Sequence, residues 1–148
     1  MRVLKLKNHV AIVTGGALGI GGGAARRLAF EGAKVLIVDI EEDAAKKNKN
    51  LIEKNGGVAE YLIGDVSSQS VAKEMVDISM SKFGRLDIIV QNAYGFSGGG
   101  SAVDVELNEW HKGLDLLIGA LYLGAKYGVP AMEESGISPN FTQNKWKG

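Results

Sequence analysis

The chain has 148 residues and not one of them is cysteine. That absence excludes disulfides, thiolate metal sites and a cysteine nucleophile, while leaving the redox compartment open. Excess charge is missing as well: 17 basic residues balance 17 acidic ones, for a formal net charge of zero. No electrostatic footprint therefore points to nucleic acid or an anionic membrane as a partner. The one local basic face, Lys46, Lys47, Lys49 and Lys54, is interleaved with Glu42, Asp43 and Glu53, the pattern of a solvated helix face. Long apolar runs are also lacking. The longest, Leu116 to Ala125, is about half of what a bilayer demands. Behind the short basic segment Met1 to Lys7 no apolar stretch marks a signal peptide. The default expectation is a soluble cytoplasmic protein, in which the sequon Asn140-Phe141-Thr142 is accidental.

What the chain does have is glycine in one informative place. Thr14-Gly15-Gly16-Ala17-Leu18-Gly19-Ile20-Gly21 lies between an apolar strand, Val10 to Val13, and an amphipathic helix, Ala24 to Phe30. Glycines at a strand-to-helix turn let the backbone approach a pyrophosphate, which the N–H groups and positive dipole end of the helix then hold. Gly32 stands where a helix C-terminal glycine belongs, and Ala33 to Ile40 reads as a second buried strand carrying Asp39. An acid at the end of the second strand, roughly 20 residues past the glycines, is where the ribose hydroxyls of a dinucleotide need an acceptor. Glu41, Glu42 and Asp43 follow with no Arg or Lys among them to receive a 2′-phosphate. NAD is therefore expected over NADP.

The alternation continues: Val58 to Ile63 as a third strand, Ser70 to Lys82 as a helix and Leu86 to Val90 as a fourth strand. Near-continuous apolar strands alternating with helices predict an α/β fold, a doubly wound parallel sheet covered on both faces in three layers, Rossmann-like in plan. In such a sheet ligands lie beyond the C-terminal strand ends. The glycine turn, Asp39, Asp65 and Asn92 all fall just there. Each has a plainer reading: Asp65 as a turn acid ahead of Ser67 and Ser68, Asn92 as a strand-end turn residue. At this length one domain with a real core is expected, burying about 70% of the unfolded surface.

Thr14-Gly15-x-x-x-Gly19-Ile20-Gly21, Asp39, Gly64-Asp65-Val66 and Leu86-Asp87-Ile88-Ile89-Val90-Gln91-Asn92-Ala93 together resemble the short-chain dehydrogenase/reductase family, in order from about Leu4 to Met132. The resemblance implies that Gly15, Leu18, Gly19, Ile20 and Gly21 hold the pyrophosphate of NAD and that Asp39 holds the adenosine ribose. It further implies that Asp65 and Val66 flank the adenine, with Asn92 and Ala93 closing the cleft and bracing the sheet. Tyr94 stands where the family usually has glycine, and Gly95 follows one residue late.

The family's chemistry needs a tyrosine and a lysine four residues later, because a phenol of pKa near 10 serves at neutral pH only beside a cation. Tyr122-x-x-x-Lys126 has the spacing, but by resemblance it sits on the long helix Trp110 to Met132, where that position is an aromatic packing residue. Leu117 falls where the family has its catalytic asparagine. No catalytic residue and no metal ligand is therefore assigned. Glu133 to Gly148, with Pro139 in a polar run, does not read as the expected fifth strand. Residues 1–132 are thus expected to form the dinucleotide-binding domain and 133–148 a divergent tail, from a frameshift, an alternative exon or a truncated copy.

Loss of later strands would leave the fourth strand at an edge. The helix bearing Leu114, Leu117, Ile118, Leu121, Tyr122 and Ala125 is apolar around much of its surface, which predicts a homo-oligomer through it. Two functions remain open: an oxidoreductase passing hydride between NAD and an alcohol or carbonyl substrate, or a non-catalytic cofactor-binding subunit that pairs with an intact homologue. A flavodoxin-like phosphate binder would keep the fold and change the ligand, and Asp39 speaks against it.

Overall fold

A computed structural model describes residues 4–95 and 100–137. Most of the tail, with its sequon, falls outside the described residues. Four strands, β1 (Val10–Thr14), β2 (Lys34–Asp39), β3 (Val58–Ile63) and β4 (Ile88–Gln91), pair in parallel in the order β3-β2-β1-β4. Helices α1 (Gly19–Phe30), α2 (Glu42–Lys54), α3 (Gln69–Ile78), α4 (Leu107–Leu114) and α5 (Ala120–Glu134) connect and follow them. With β1 between β2 and β4, the chain reverses its direction of winding at β1. A parallel sheet with that order leaves its ligand crevice above the ends of β1 and β4.

The period of two in the strands assigns the faces. Val35 and Ile37 pack with Val13, Ala25, Ala29, Ala45 and Ile52 beneath α1 and α2. Leu36 and Val38 point the other way, into a cluster with Ile12, Val66, Ala72, Met75, Leu86, Ala120 and Ala131 under α3 and α5. Three layers result, because every strand of the pair β1 and β2 is apolar on both sides. Among the described residues β3 and β4 are the edges.

Helix α1 begins five residues before the apolar pattern alone suggests, at Gly19 rather than Ala24. Gly21, Gly22 and Gly23 are poor helix formers. Gly21 and Gly22 are nevertheless buried, and this close packing offsets their low propensity. The helix closes at Gly32 (φ +100°), with the Ala33 N–H reaching the Leu28 carbonyl at 3.1 Å, a Schellman ending.

Two expected helices are interrupted by π-helical turns. The Ser70 to Lys82 helix is α3 followed by a π turn, Ser79–Phe83, in which the buried Ser79 hydroxyl donates to the Met75 carbonyl at 3.0 Å. Such back-bonding loads the i−4 carbonyl and favours a local shift of register. The long helix near the C-terminus is likewise α4, a π turn at Asp115–Gly119, and α5. Helix α5 runs two residues past Met132, and Ser135 Oγ then accepts the Leu86 N–H at 2.9 Å while donating to the Ala131 carbonyl at 2.7 Å.

The far end of the sheet is tied by Asp87, whose side chain is 2% exposed. It accepts the Val10 N–H at 2.8 Å and a two-armed contact from Arg85 at 2.8 and 2.6 Å. Burial pushes its pKa up, but the Arg85 guanidinium and the Val10 N–H outweigh it and hold the carboxyl below the usual carboxylate value.

Candidate functional site

Since all four strands run parallel, their carboxyl ends share one edge of the sheet. The glycine turn follows β1, Asp39 closes β2, Gly64-Asp65-Val66 follows β3 and Asn92-Ala93 follows β4. Residues scattered over 79 positions of sequence therefore meet, as the hydrogen bond from the Ala93 N–H to Thr14 Oγ1 demonstrates.

Thr14 is the joint between β1 and β4, a role the sequence reading did not give it. Fully buried, its Oγ1 accepts the N–H groups of Asn92 at 3.0 Å and Ala93 at 3.1 Å and donates to the Val90 carbonyl at 3.4 Å. Asn92 returns the contact, its amide Nδ2 donating to the carbonyls of Thr14 and Gly15, each at 3.1 Å. The β4 end is thereby locked onto the start of the glycine turn.

Space explains the glycines at that junction. Gly15 has φ +61°, and a Cβ there would lie 2.9 Å from the Cα of Ala93 and 2.9 Å from Asn92 Nδ2. A Cβ on Gly21 would strike the Gly15 carbonyl oxygen and the Asn92 amide. The turn thus closes on itself with no room for a side chain, and Leu18 carries the chain into α1 in extended conformation (φ −134°, ψ 176°). No side chain caps that N-terminus and no acid lies in the first turn. An uncompensated positive helix end results, suited to an anion.

Asp39 is held rather than free-swinging. One carboxylate oxygen, Oδ2, accepts the Ala17 N–H at 2.9 Å, and Oδ1 accepts those of Ile40 at 2.8 Å and Glu41 at 3.2 Å. Since each carboxylate oxygen can accept two bonds, acceptor capacity remains on Oδ2. Asp65 uses Oδ1 for the N–H and hydroxyl of Ser67, at 2.9 and 2.8 Å. The plainer turn reading of Asp65 is therefore part of its structure, and it lines the crevice as well.

A cavity of about 170 Å³ draws walls from every strand end, among them Gly15, Asp39, Asp65, Val66 and Ala93, with Leu116 from the π turn above. A second, of about 270 Å³, continues past β4 between Thr14, Asn92, Ala93, Leu117, Ala120 and Leu121. Ala93, Tyr94 and Leu116 border both. One cleft thus runs from Asp39 and Asp65 to Asn92 and Leu117. Of the expected residues, Gly15, Asp39, Asp65, Val66, Asn92 and Ala93 form its walls. Leu18, Gly19, Ile20 and Gly21 form the helix end beside it, with Leu18 and Ile20 at 64% and 87% exposure. Tyr94 and Gly95 both keep negative or extended φ, so the tyrosine enters this turn without left-handed strain.

A larger groove of about 410 Å³ lies at the other end of α1, between Arg26, Phe30, Leu51 and Asn55, where no strand end or glycine turn converges. Tyr122 and Lys126 share one face of α5, the ammonium 5.7 Å from the ring centroid. Tyr122 is 62% exposed and does not line either part of the cleft; the packing role expected of it is not filled by this chain's own core. Among the described residues there is no group of His, Asp and Glu able to hold a metal ion, and no helix long and apolar enough to cross a membrane.

A doubly wound parallel sheet, with a glycine turn, a strand-end acid and a cleft at its switch point, defines a Rossmann-like α/β domain. Residues 9–138 match the family model for short chain dehydrogenase, and the chain belongs to that family, whose members bind nicotinamide cofactors. It is 39% identical over 131 residues to tropinone reductase-like 2 of Erythroxylum coca, covering 86% of this chain and 46% of the relative. A metagenomic short-chain oxidoreductase solved in complex with NADP superposes with a TM-score of 0.82 at 29% identity, over 88% of this chain and 59% of that one. Carveol dehydrogenase from Mycobacterium avium, solved with NAD, gives 0.83 at 27% identity, over 89% of this chain and 52% of that one. The chain spans about half the length of the curated relatives it matches.

Proposed function

We propose that this chain binds NAD in the cleft above β1 and β4, as the cofactor-holding part of an oxidoreductase that passes hydride between the nicotinamide and an alcohol or carbonyl substrate. In this reading the pyrophosphate lies on the glycine turn and the N-terminus of α1. Asp39 takes the adenosine ribose hydroxyls, Asp65 and Val66 flank the adenine, and Asn92 and Ala93 border the nicotinamide half. When bound, the cofactor supplies the hydride chemistry; the residues described so far bind it, orient it and wall it from water.

One observation carries the choice of NAD: a carboxylate held by three backbone N–H groups at the ribose end of the cleft, with Glu41 next to it. A 2′-phosphate about 4 Å from Asp39 would meet repulsion of roughly 1 to 4 kcal/mol per unit charge. That corresponds to about tenfold or more weaker binding. Calorimetric titration with NADH, NADPH and FMN tests it. NADH is expected to bind at least tenfold tighter than NADPH, with Asp39→Ser narrowing the gap; equal affinities would overturn the preference, and tighter FMN binding the ligand class.

A second reading, a cofactor-binding subunit without turnover that pairs with an intact homologue, is favoured by two observations. Leu117, at the position of the family's catalytic asparagine, puts an apolar side chain into the cleft, and Tyr122 with Lys126 stands outside it. Reduced-nicotinamide absorbance with a panel of secondary alcohols separates the two, and loss of activity in Tyr122→Phe would reinstate that pair as catalytic. Self-association through α4 and α5 belongs to both readings. Leu107, Trp110, Leu114, Ile118, Leu121 and Tyr122 are all exposed along these helices, between 38% and 68%, at spacings that keep them on neighbouring turns. A cytoplasmic location completes the proposal.

A further inference from the structure

Helix α2 reads as a solvated helix, yet one face of it is buried through Ala45, Asn48 and Ile52. Two of these are apolar, as a core stripe requires. Asn48 is the exception, at 2% exposure. A buried amide costs free energy unless its donors and acceptor are matched. A leucine would fill similar space beside Ala45 and Ile52 without that demand.

Both ends of the Asn48 amide are engaged, and its partners belong to the glycine turn and to α1. Nδ2 donates to the Gly16 carbonyl at 2.7 Å and to the Gly22 carbonyl at 3.3 Å. The other end, Oδ1, accepts from Arg26 Nη1 at 2.7 Å, which settles the amide with its donors toward the turn. The peptide between Gly16 and Ala17 is thereby gripped at both ends: its carbonyl by Asn48, and its N–H by Asp39 Oδ2 at 2.9 Å. A planar peptide held at its oxygen and its nitrogen has one orientation left to it.

We propose that Asn48 is a positioning residue of the nucleotide site, acting through the Gly16–Ala17 peptide to set the direction of the glycine turn and of the Asp39 carboxylate together. The site then depends on α2 as well as on the strand ends, because α2 supplies a side chain that binds both a turn carbonyl and an α1 carbonyl. The inference rests on the cofactor reading above only in its second half; the brace itself is a property of the free protein.

Asn48→Asp keeps the size and Asn48→Leu the branched outline of the side chain, and both remove the donor, while Arg26→Ala, at an exposed side chain, leaves the core intact and releases the amide's other end. Met75→Ala, in the cluster on the opposite face of the sheet, serves as a control for general destabilisation. In the nucleotide-free protein, amide exchange at Ala17 and Gly22 is expected to quicken at least tenfold relative to Ile12 and Leu36 in both Asn48 variants, and by a smaller factor in Arg26→Ala. Met75→Ala should move all four amides in step. NADH dissociation constants, followed by nucleotide fluorescence, are expected to rise at least tenfold in the Asn48 variants and less than twofold in Met75→Ala. Exchange at Ala17 and Gly22 that stays in step with the strands, or an affinity loss no larger than the control's, would overturn the proposal. Wild-type protein that takes up no NADH at millimolar concentration would instead overturn the cofactor reading, and the exchange experiment alone then decides whether Asn48 holds the turn.

Discussion

Thr14→Val exchanges the hydroxyl at the junction of β1 and β4 for a methyl group while nearly keeping the side chain's shape, and so also ends the donation to the Val90 carbonyl. The two N–H groups that Thr14 Oγ1 accepts, those of Asn92 and Ala93, would be left without that partner in a part-buried setting. Leaving a buried donor unsatisfied costs about 1–3 kcal/mol, and two of them in a site that admits some water sum to roughly 2–4 kcal/mol. Thr14→Ser keeps the hydroxyl and loses one methyl from a fully buried position, a loss of about 1 kcal/mol. Urea denaturation of both variants and the parent measures the difference. The valine variant is expected to be about 1–3 kcal/mol less stable than the serine variant, with the midpoint shifted and the slope unchanged, as a change in stability alone requires. Equal stability of the two variants would refute the assignment of Thr14 as the hydrogen-bonded joint of the cleft.

At the opposite end of the sheet, Asp87→Asn is expected to cost about 2–3 kcal/mol at neutral pH, because a buried, doubly held carboxylate is lost. The folded-state pKa of Asp87 is depressed, so its contribution is present above the ordinary value of 3.8 and is lost as pH falls through the lower folded value. The gap between parent and variant in chemical denaturation should therefore narrow below about pH 4; a gap that widens in acid would contradict it. On α5, a Cβ at Gly124 would collide with Gln91 Nε2, which donates to the Ala120 carbonyl at 3.3 Å. Gly124→Ala is expected to destabilise by about 1 kcal/mol in the parent and to stabilise by up to about 1 kcal/mol in a Gln91→Ala background, a reversal of sign that a double-mutant cycle detects. Ile118→Glu and Leu121→Glu should convert a self-associated protein to monomer in sedimentation at micromolar concentration. A monomeric parent would defeat the proposed interface.

Much of the fold was readable because the elements here are marked by local signals. The strands are short apolar runs, the turns carry glycine, and the acids sit at strand ends, so α/β alternation and the shared edge followed from spacing. That Gly15 and Asn92 directly follow β1 and β4 and that Asp39 closes β2 was readable for the same reason. Boundaries were not. The start of α1 lies among three glycines that propensity would leave out of a helix, and the π turn at Ser79 coincides with a bond of its hydroxyl to the Met75 carbonyl that no periodicity reveals. Thr14 and Asn48 were missed because their partners are distant: 78 and 79 residues away for Thr14 and between 22 and 32 residues away for Asn48.

By itself, then, the sequence determined the layered parallel architecture, the glycine turn and the placement of Asp39, since these depend on what each residue does to its own stretch of backbone. Only the tertiary structure decided how the turn is held. It showed Thr14 and Asn92 closing it from β4, Asn48 gripping it from α2, and Asp39 bound to its Ala17 N–H. The physical reason is that the direction of a peptide or a carboxylate is set by hydrogen bonds between segments that meet only when the sheet is assembled.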